Sequence, residues 1–230
     1  MKKFIQMGII TFSLFNIFPV EAAMAIPRCA HCQGKPMVYV ISKATPQKDE
    51  MIKKVLELQE TLLVDPLASI SQDSLKDGFL LTAMDADYIN YLLNEKNGVI
   101  ICVTQKQVLL GYAILVNTSQ FKKLFENESV GQLDSALQMD DFARNDSAYI
   151  EQIAVRKSAA RQGIGSKLID TCKKLKHALL ADVFINPVSN DASLQFFTDQ
   201  GFENVGILYQ QPTEKLPFSQ ELKVFLWKLL

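Results

Sequence analysis

A strand that runs through a short glycine-bearing loop directly into an amphipathic helix leaves a chain few ways to fold. Residues Ile153 to Ile169 (IAVRKSAARQGIGSKLI) have that order. Gly163 and Gly165 lack a Cβ, so the backbone can turn sharply and come close to a ligand. The turn falls at a helix N-terminus, where unpaired N–H groups and the helix dipole favour an anion. Two readings are open, a phosphate-binding loop and an ordinary strand-to-helix turn, because a G-x-G alone is weak evidence. Neither Gly-Lys-Ser/Thr nor a G-x-G-x-x-G opening the first strand-helix unit is present, which argues against a nucleotide site of another fold.

A second segment, Asp182 to Phe202, reads as the next strand and helix. Asn190 is a good N-cap, Leu194 and Phe197 fit a short helix, Gly201 suits its C′ position, and Phe202 starts another apolar strand. Together the segments resemble the acyl-CoA-binding region of the GNAT acetyltransferase superfamily. There, a strand ending in Val leads into Arg/Gln-x-x-Gly-x-Gly/Ala and a helix. In the following unit an Asn opens the helix, and an aromatic pair and Gly-Phe close it. The matching loop is Ala160-Arg161-Gln162-Gly163-Ile164-Gly165, with Ala160 in the place of the usual Arg or Gln. Gly111-Tyr112 resembles a Gly-Tyr of the family's third strand. The likeness spans Met37 to Leu230, with its specific residues between Tyr149 and Phe202.

The resemblance implies an α+β, GNAT-like acyl-CoA N-acyltransferase fold, a curved and mainly antiparallel mixed sheet flanked by helices. It implies acetyl-CoA as co-substrate and no metal. Backbone groups of Ile153 and Val155 would pair with the pantetheine arm, and the amides of Arg161, Gln162, Gly163, Ile164, Gly165 and Ser166 would meet the pyrophosphate. Asn190 has two compatible readings, N-cap and cofactor contact. The implied activity is transfer of acetyl from acetyl-CoA to a primary amine of a small molecule, peptide or protein. A catalytically impaired CoA-binding sensor or interaction module is the alternative, motivated by Ala160 and by Phe197, which stands where relatives carry a Tyr.

Amine acetylation needs a neutral amine, a polarised thioester carbonyl and a proton for the departing thiolate. Glu151 is the candidate base, ahead of Asp146 and Tyr149, against a reading as a solvated strand residue. Phe197 has no proton to give, so Tyr209 or water is the candidate acid, while Phe196 and Phe197 otherwise read as core. Arg161 and Lys167 are phosphate contacts or solvated charges, and His177 reads as a residue near a helix C-terminus.

Lys and Arg number 24 against 25 Asp and Glu, which gives no general field for nucleic acid or anionic membrane. The 230 residues divide into a leader (1–25), a linker (26–36) and one domain (37–230). Met1-Lys-Lys, the apolar Phe4 to Phe18 and small residues to Ala25 have the parts of a signal peptide or membrane anchor; an unused upstream extension ahead of Met37 is the other reading. Any membrane contact would come through this leader. Export conflicts with use of a cytosolic metabolite. A downstream start, an anchor with the domain on the cytosolic side, or delivery into another cell's cytosol would each resolve the conflict. Cys29 and Cys32 form a C-x-x-C open to a disulfide, half a zinc site or spare thiols, with His31 poorly placed between them and Gln33 excluding the covalent haem motif. Cys102 and Cys172 read as structural.

Along the domain, Val38 to Ser42 predicts a strand and Gln47 to Leu63 an amphipathic helix stopped by Asp65-Pro66. Asp77 to Ala83 reads as extended, and Asp85 or Asp87 caps a helix with Tyr88, Tyr91 and Leu92. Val99 to Thr104 and Val108 to Val116 form a hairpin, and Phe121 to Arg144 a helix-loop insertion on the substrate side. Tyr149 to Val155, Gly165 to His177 and Leu180 to Ile185 make the central strand-helix-strand, and Phe202 to Tyr209 with Glu221 to Leu229 a last antiparallel pair.

Overall fold

The run VIICV is apolar at every position, which suits a strand covered on both faces. The structure, a computed structural model, describes residues 34–65, 75–118, 132–133 (backbone only), 146–212 and 218–229. In it β2 (Val99–Gln105) and β3 (Val108–Asn117) pair antiparallel, with Ile100 to Val103 and Tyr112 to Ile114 fully buried. Lys106 and Gln107 make the turn at φ 48° and 68°. Two consecutive residues at positive φ match the right-handed twist of a tight hairpin.

β1 (Met37–Ile41) pairs with β2 on the outside. β3 pairs with β5 (Ser147–Val155), and β6 (Ala178–Asn186) with β8 (Gln220–Lys228), which pairs in turn with β7 (Glu203–Gln210). The two-residue β4 (Gln132–Leu133) completes one sheet in the order β1-β2-β3-β5-β6-β8-β7-β4. Among the described strands of this sheet only β5 and β6 are parallel, and α3 (Ile164–Leu175) is the crossover that such a pair needs.

Helices cover both faces. α1 (Lys48–Glu60) and α2 (Ala86–Glu95) bury Val55, Leu58, Ile89, Leu92 and Leu93 against Tyr112, Ile114 and Tyr149. On the other face α3 buries Leu168, Ile169 and Cys172 among Val103, Ala113 and Leu179, and α4 (Asp191–Asp199) adds Phe197. Asp85 is the cap of α2, its carboxylate accepting from Tyr88 N at 2.7 Å. Asn190 caps α4.

α1 ends three residues before the periodicity does. The chain beyond it turns into a short parallel bridge: Leu80 N donates to Leu62 O and Val64 N to Leu80 O. The extended piece around Leu80 therefore closes on the end of α1 and stays outside the sheet. α3 starts at Ile164, one residue before the sequence expectation, and ends at Leu175, so His177 lies beyond it. The leader, Cys29, Cys32 and most of the 121–144 insertion lie outside the described residues. Among the described residues no helix is long and apolar enough to cross a membrane.

Candidate active site

β5 leaves the sheet at Val155, passes a 3₁₀ turn over Lys157–Ala159 and enters α3 through a loop in which Arg161 (φ 61°) and Gly163 (φ 76°) are left-handed. Left-handed residues among right-handed ones turn successive N–H groups inward, the arrangement of an anion-binding nest. Gly163 is the N-cap and brings no side chain to the helix end, and nothing lies within 4 Å of where its Cβ would be. Lys167 is the first residue to close the helix, onto Gly163 O at 3.1 Å. Among the described residues no acceptor meets the N–H groups from Arg161 to Ser166.

The side chains around this loop are mostly tied to the protein. Gln162 donates to Ser158 O, Arg161 reaches Lys76 O at 3.4 Å, and the Ser166 hydroxyl accepts from Gln200. The two glycines divide their work. Gly163 supplies the left-handed turn, whereas a Cβ on Gly165 would sit 2.9 Å from the Phe196 ring. Gly165 therefore lets α3 lie against α4. Gly165→Ala is expected to destabilise the fold by about 1–3 kcal/mol through overpacking, read as a lower midpoint in denaturant.

β5 and β6 stay paired only through Ser147–Ala178, Ala148–Leu179 and Tyr149–Leu180. Beyond that point β5 remains bonded to β3 and β6 to β8, and the two strands part. Arg156 N donates to Leu110 O on β3, so by alternation the N–H and C=O groups of Ile153 and Val155 point away from β3. They face the opening, on the same strand that delivers the loop.

The β3–β5 register skips Glu151: Ile114 pairs with Gln152 and Leu115 with Ile150. Such a bulge sends two successive side chains to one face. Gln152 meets the buried Tyr112 hydroxyl and donates to Thr82 O, while Glu151 Oε1 accepts from the Tyr88 hydroxyl of α2 at 2.9 Å. Across the opening, Asp182 Oδ2 accepts from the Tyr149 hydroxyl at 2.7 Å. Burial, the largest cause, and the charge of Asp182 raise the Glu151 pKa above the ordinary carboxylate value, against the Tyr88 hydrogen bond. Burial pushes Asp182 up to about 6, opposed by its bond from Tyr149. Burial first and the neighbouring carboxylates second hold both tyrosines well above the usual phenol range, so each stays a donor. The opening thus has a loop of N–H groups without acceptors at one end and a carboxylate of raised proton affinity within it.

Other expected site residues are placed elsewhere. Tyr209 lies on β7, two strands from β6 and level with Asn186 through Glu221, which puts it roughly 10 Å across and roughly 10 Å along the sheet from Asp182. Its neighbour Leu208 packs on the α1–α2 face, so Tyr209 points to the face opposite Glu151. Asn190 is 6% exposed, with its Oδ1 accepting from Ser193 N and its Nδ2 donating to Phe79 O. Phe197 is buried edge-on to Phe202 and stacked on Phe225. Lys167 and His177 are exposed. Sequence reasoning missed the parts played by Tyr88 and Asp182. A lone acid inside the apolar run from Leu179 to Phe184 was the available signal for Asp182, since a strand core seldom keeps one without a reason.

The family model described as the acetyltransferase (GNAT) family matches residues 64–202, more than half of the chain. No curated protein matches. Solved structures share the fold at low identity. The smu.2055 protein of Streptococcus mutans is 15% identical with a TM-score of 0.53, over 84% of this chain and 99% of that one. NAA60 of Arabidopsis thaliana, solved in complex with acetyl-CoA, is 11% identical with a TM-score of 0.54, over 85% and 99%. The ribosomal-protein-S18-alanine N-acetyltransferase of Escherichia coli is 14% identical with a TM-score of 0.50, over 84% and 94%.

Proposed function

Because this chain belongs to the acetyltransferase (GNAT) family and is an acyltransferase, we propose that it moves acetyl from acetyl-CoA to a primary amine of a small molecule, peptide or protein. The observation that carries this reading is the parting of β5 from β6, with unpartnered amides at one end and Glu151 inside. The residues suit acetyl-CoA. The N–H groups from Arg161 to Ser166 offer donors to a pyrophosphate, and the free edge of β5 offers Ile153 and Val155 to an amide-bearing chain. That chain would lead the thioester toward Glu151. A β5 N–H polarises the carbonyl and Glu151 takes the proton of the attacking amine, directly or through water; as the C–N bond forms the C–S bond breaks, and CoA leaves as a thiolate that takes its proton from water. The Tyr88 hydroxyl holds Glu151 in place, and its stack on Tyr91 gives the acceptor an exposed aromatic wall beside the base.

Two measurements test the proposal: calorimetry with CoA, and release of free CoA thiol from acetyl-CoA in the presence of a panel of primary amines. Binding with amine-dependent thiol release is expected. Binding without transfer would leave the sensor reading in place, and absence of binding would overturn both.

A further inference from the structure

The two carboxylates of the opening stand on the two strands that part, and each is held by a different tyrosine. Glu151 and Asp182 each stand two residues past the Tyr149–Leu180 pair, on the face that carries Tyr149 and Leu180, so they lie level across the opening; Tyr88 and Tyr91 of α2 and Tyr149 of β5 are the other titratable groups around Glu151. Among the described residues no lysine or arginine pairs with either carboxylate. An enclosed carboxylate with no cation beside it is unfavourable for the fold. The bond from Tyr149 needs only an acceptor, which an asparagine would also supply. The negative charge at position 182 therefore calls for another reason, and Glu151 is the titrating group it opposes.

We propose that Asp182 is a positioning residue for acetyl transfer, which holds a negative charge across the β5–β6 opening so that Glu151 can accept the amine proton near neutral pH. Its catalytic meaning rests on the acetyl-transfer reading; the coupling between the carboxylates does not. Two like charges facing each other in an enclosed site titrate as a pair, and the first to ionise makes the second hold its proton longer. Burial raises Asp182 to about 6 against the bond from Tyr149, so it carries its charge at neutral pH. Tyr149, fixed at the last paired position of β5, sets how far Asp182 can turn toward Glu151.

The test is a carboxyl-carbon NMR titration of the full-length protein, with the Glu151 resonance assigned from Glu151→Gln. In the wild type the Glu151 signal is expected to show a second inflection at the Asp182 midpoint. In Asp182→Asn, which keeps an acceptor for Tyr149, the Glu151 midpoint is expected to fall by about one pH unit, with CoA affinity within about twofold of wild type. The wild-type measurement needs no variant, so a poorly folded Asp182→Asn protein leaves the proposal exposed. A single Glu151 inflection in the wild type, or an unmoved midpoint in folded Asp182→Asn, overturns it. Neither readout uses acetyl-CoA or an acceptor, so a failed transfer assay and a failed coupling are told apart.

Discussion

Gly163→Asp is expected to weaken CoA binding about 100-fold or more, the largest effect of any single change in the loop. The residue sits at φ 76° with open space where a side chain would begin, so aspartate adds no clash with the protein. Left-handed backbone is tolerable for aspartate at a cost of about 1 kcal/mol. The damage is electrostatic. The carboxylate would stand at the N-terminus of α3, beside amides that have no other partner, where the proposed site would hold a doubly charged pyrophosphate. One pair of unit charges about 6 Å apart at an effective dielectric near 20 repels by about 3 kcal/mol, which is about 100-fold in affinity. Gly163→Asn takes the same backbone without the charge and is expected to lose less than about tenfold. Calorimetry with CoA on folded protein decides; equal affinity in wild type and Gly163→Asp would remove the loop from the binding site.

The second large effect is on turnover. Glu151→Gln keeps the size of the side chain and an oxygen for the Tyr88 hydroxyl, but takes away the proposed base. Loss of a general base lowers kcat by about 10²–10⁴, while CoA affinity should stay within about twofold because the loop is untouched. The pH dependence has a definite sign. Glu151 has a raised pKa, so activity that relies on it increases as pH climbs through that value, and this limb vanishes in the glutamine variant. Stability runs the other way. A carboxyl whose pKa is raised by folding favours the native state most below its unfolded pKa, and that contribution is lost as pH rises through the folded value. Glu151→Gln should therefore melt higher than wild type at pH 8, with the gap closing toward pH 4. An active enzyme whose rate and pH profile ignore the substitution would sink the assignment.

Much of this arrangement could be read before the structure. Glycines at 163 and 165, a cap at Asn190 and apolar runs of strand length are local signals, and local signals fix elements. The mixed, mainly antiparallel sheet and its flanking helices follow the family likeness carried by those residues. Harder to read were features that depend on partners distant in the chain. The bulge at Glu151 is a mismatch of register with β3, and no local pattern announces it. Tyr88 meets Glu151 only because the fold brings the start of α2 within reach of β5, and the short reach of α1 depends on Leu80. Tyr209 looked available from its type alone, yet strand order and alternation place it on the other face of the sheet. Gly165 looked like part of the turn, and its reason is the ring of Phe196.

The three residue pairs that still join β5 to β6 have a mechanical consequence. Among the described residues they are the one seam of the backbone ladder between a half-sheet of β1, β2, β3 and β5 and a half-sheet of β6, β8, β7 and β4, with the Tyr149–Asp182 bond as a rivet at its end. Across it the halves share few backbone bonds, and the cores on both faces join them through side chains. A ligand lodged above it would touch both sides and act as a strut, adding its binding energy to the resistance of the sheet to opening.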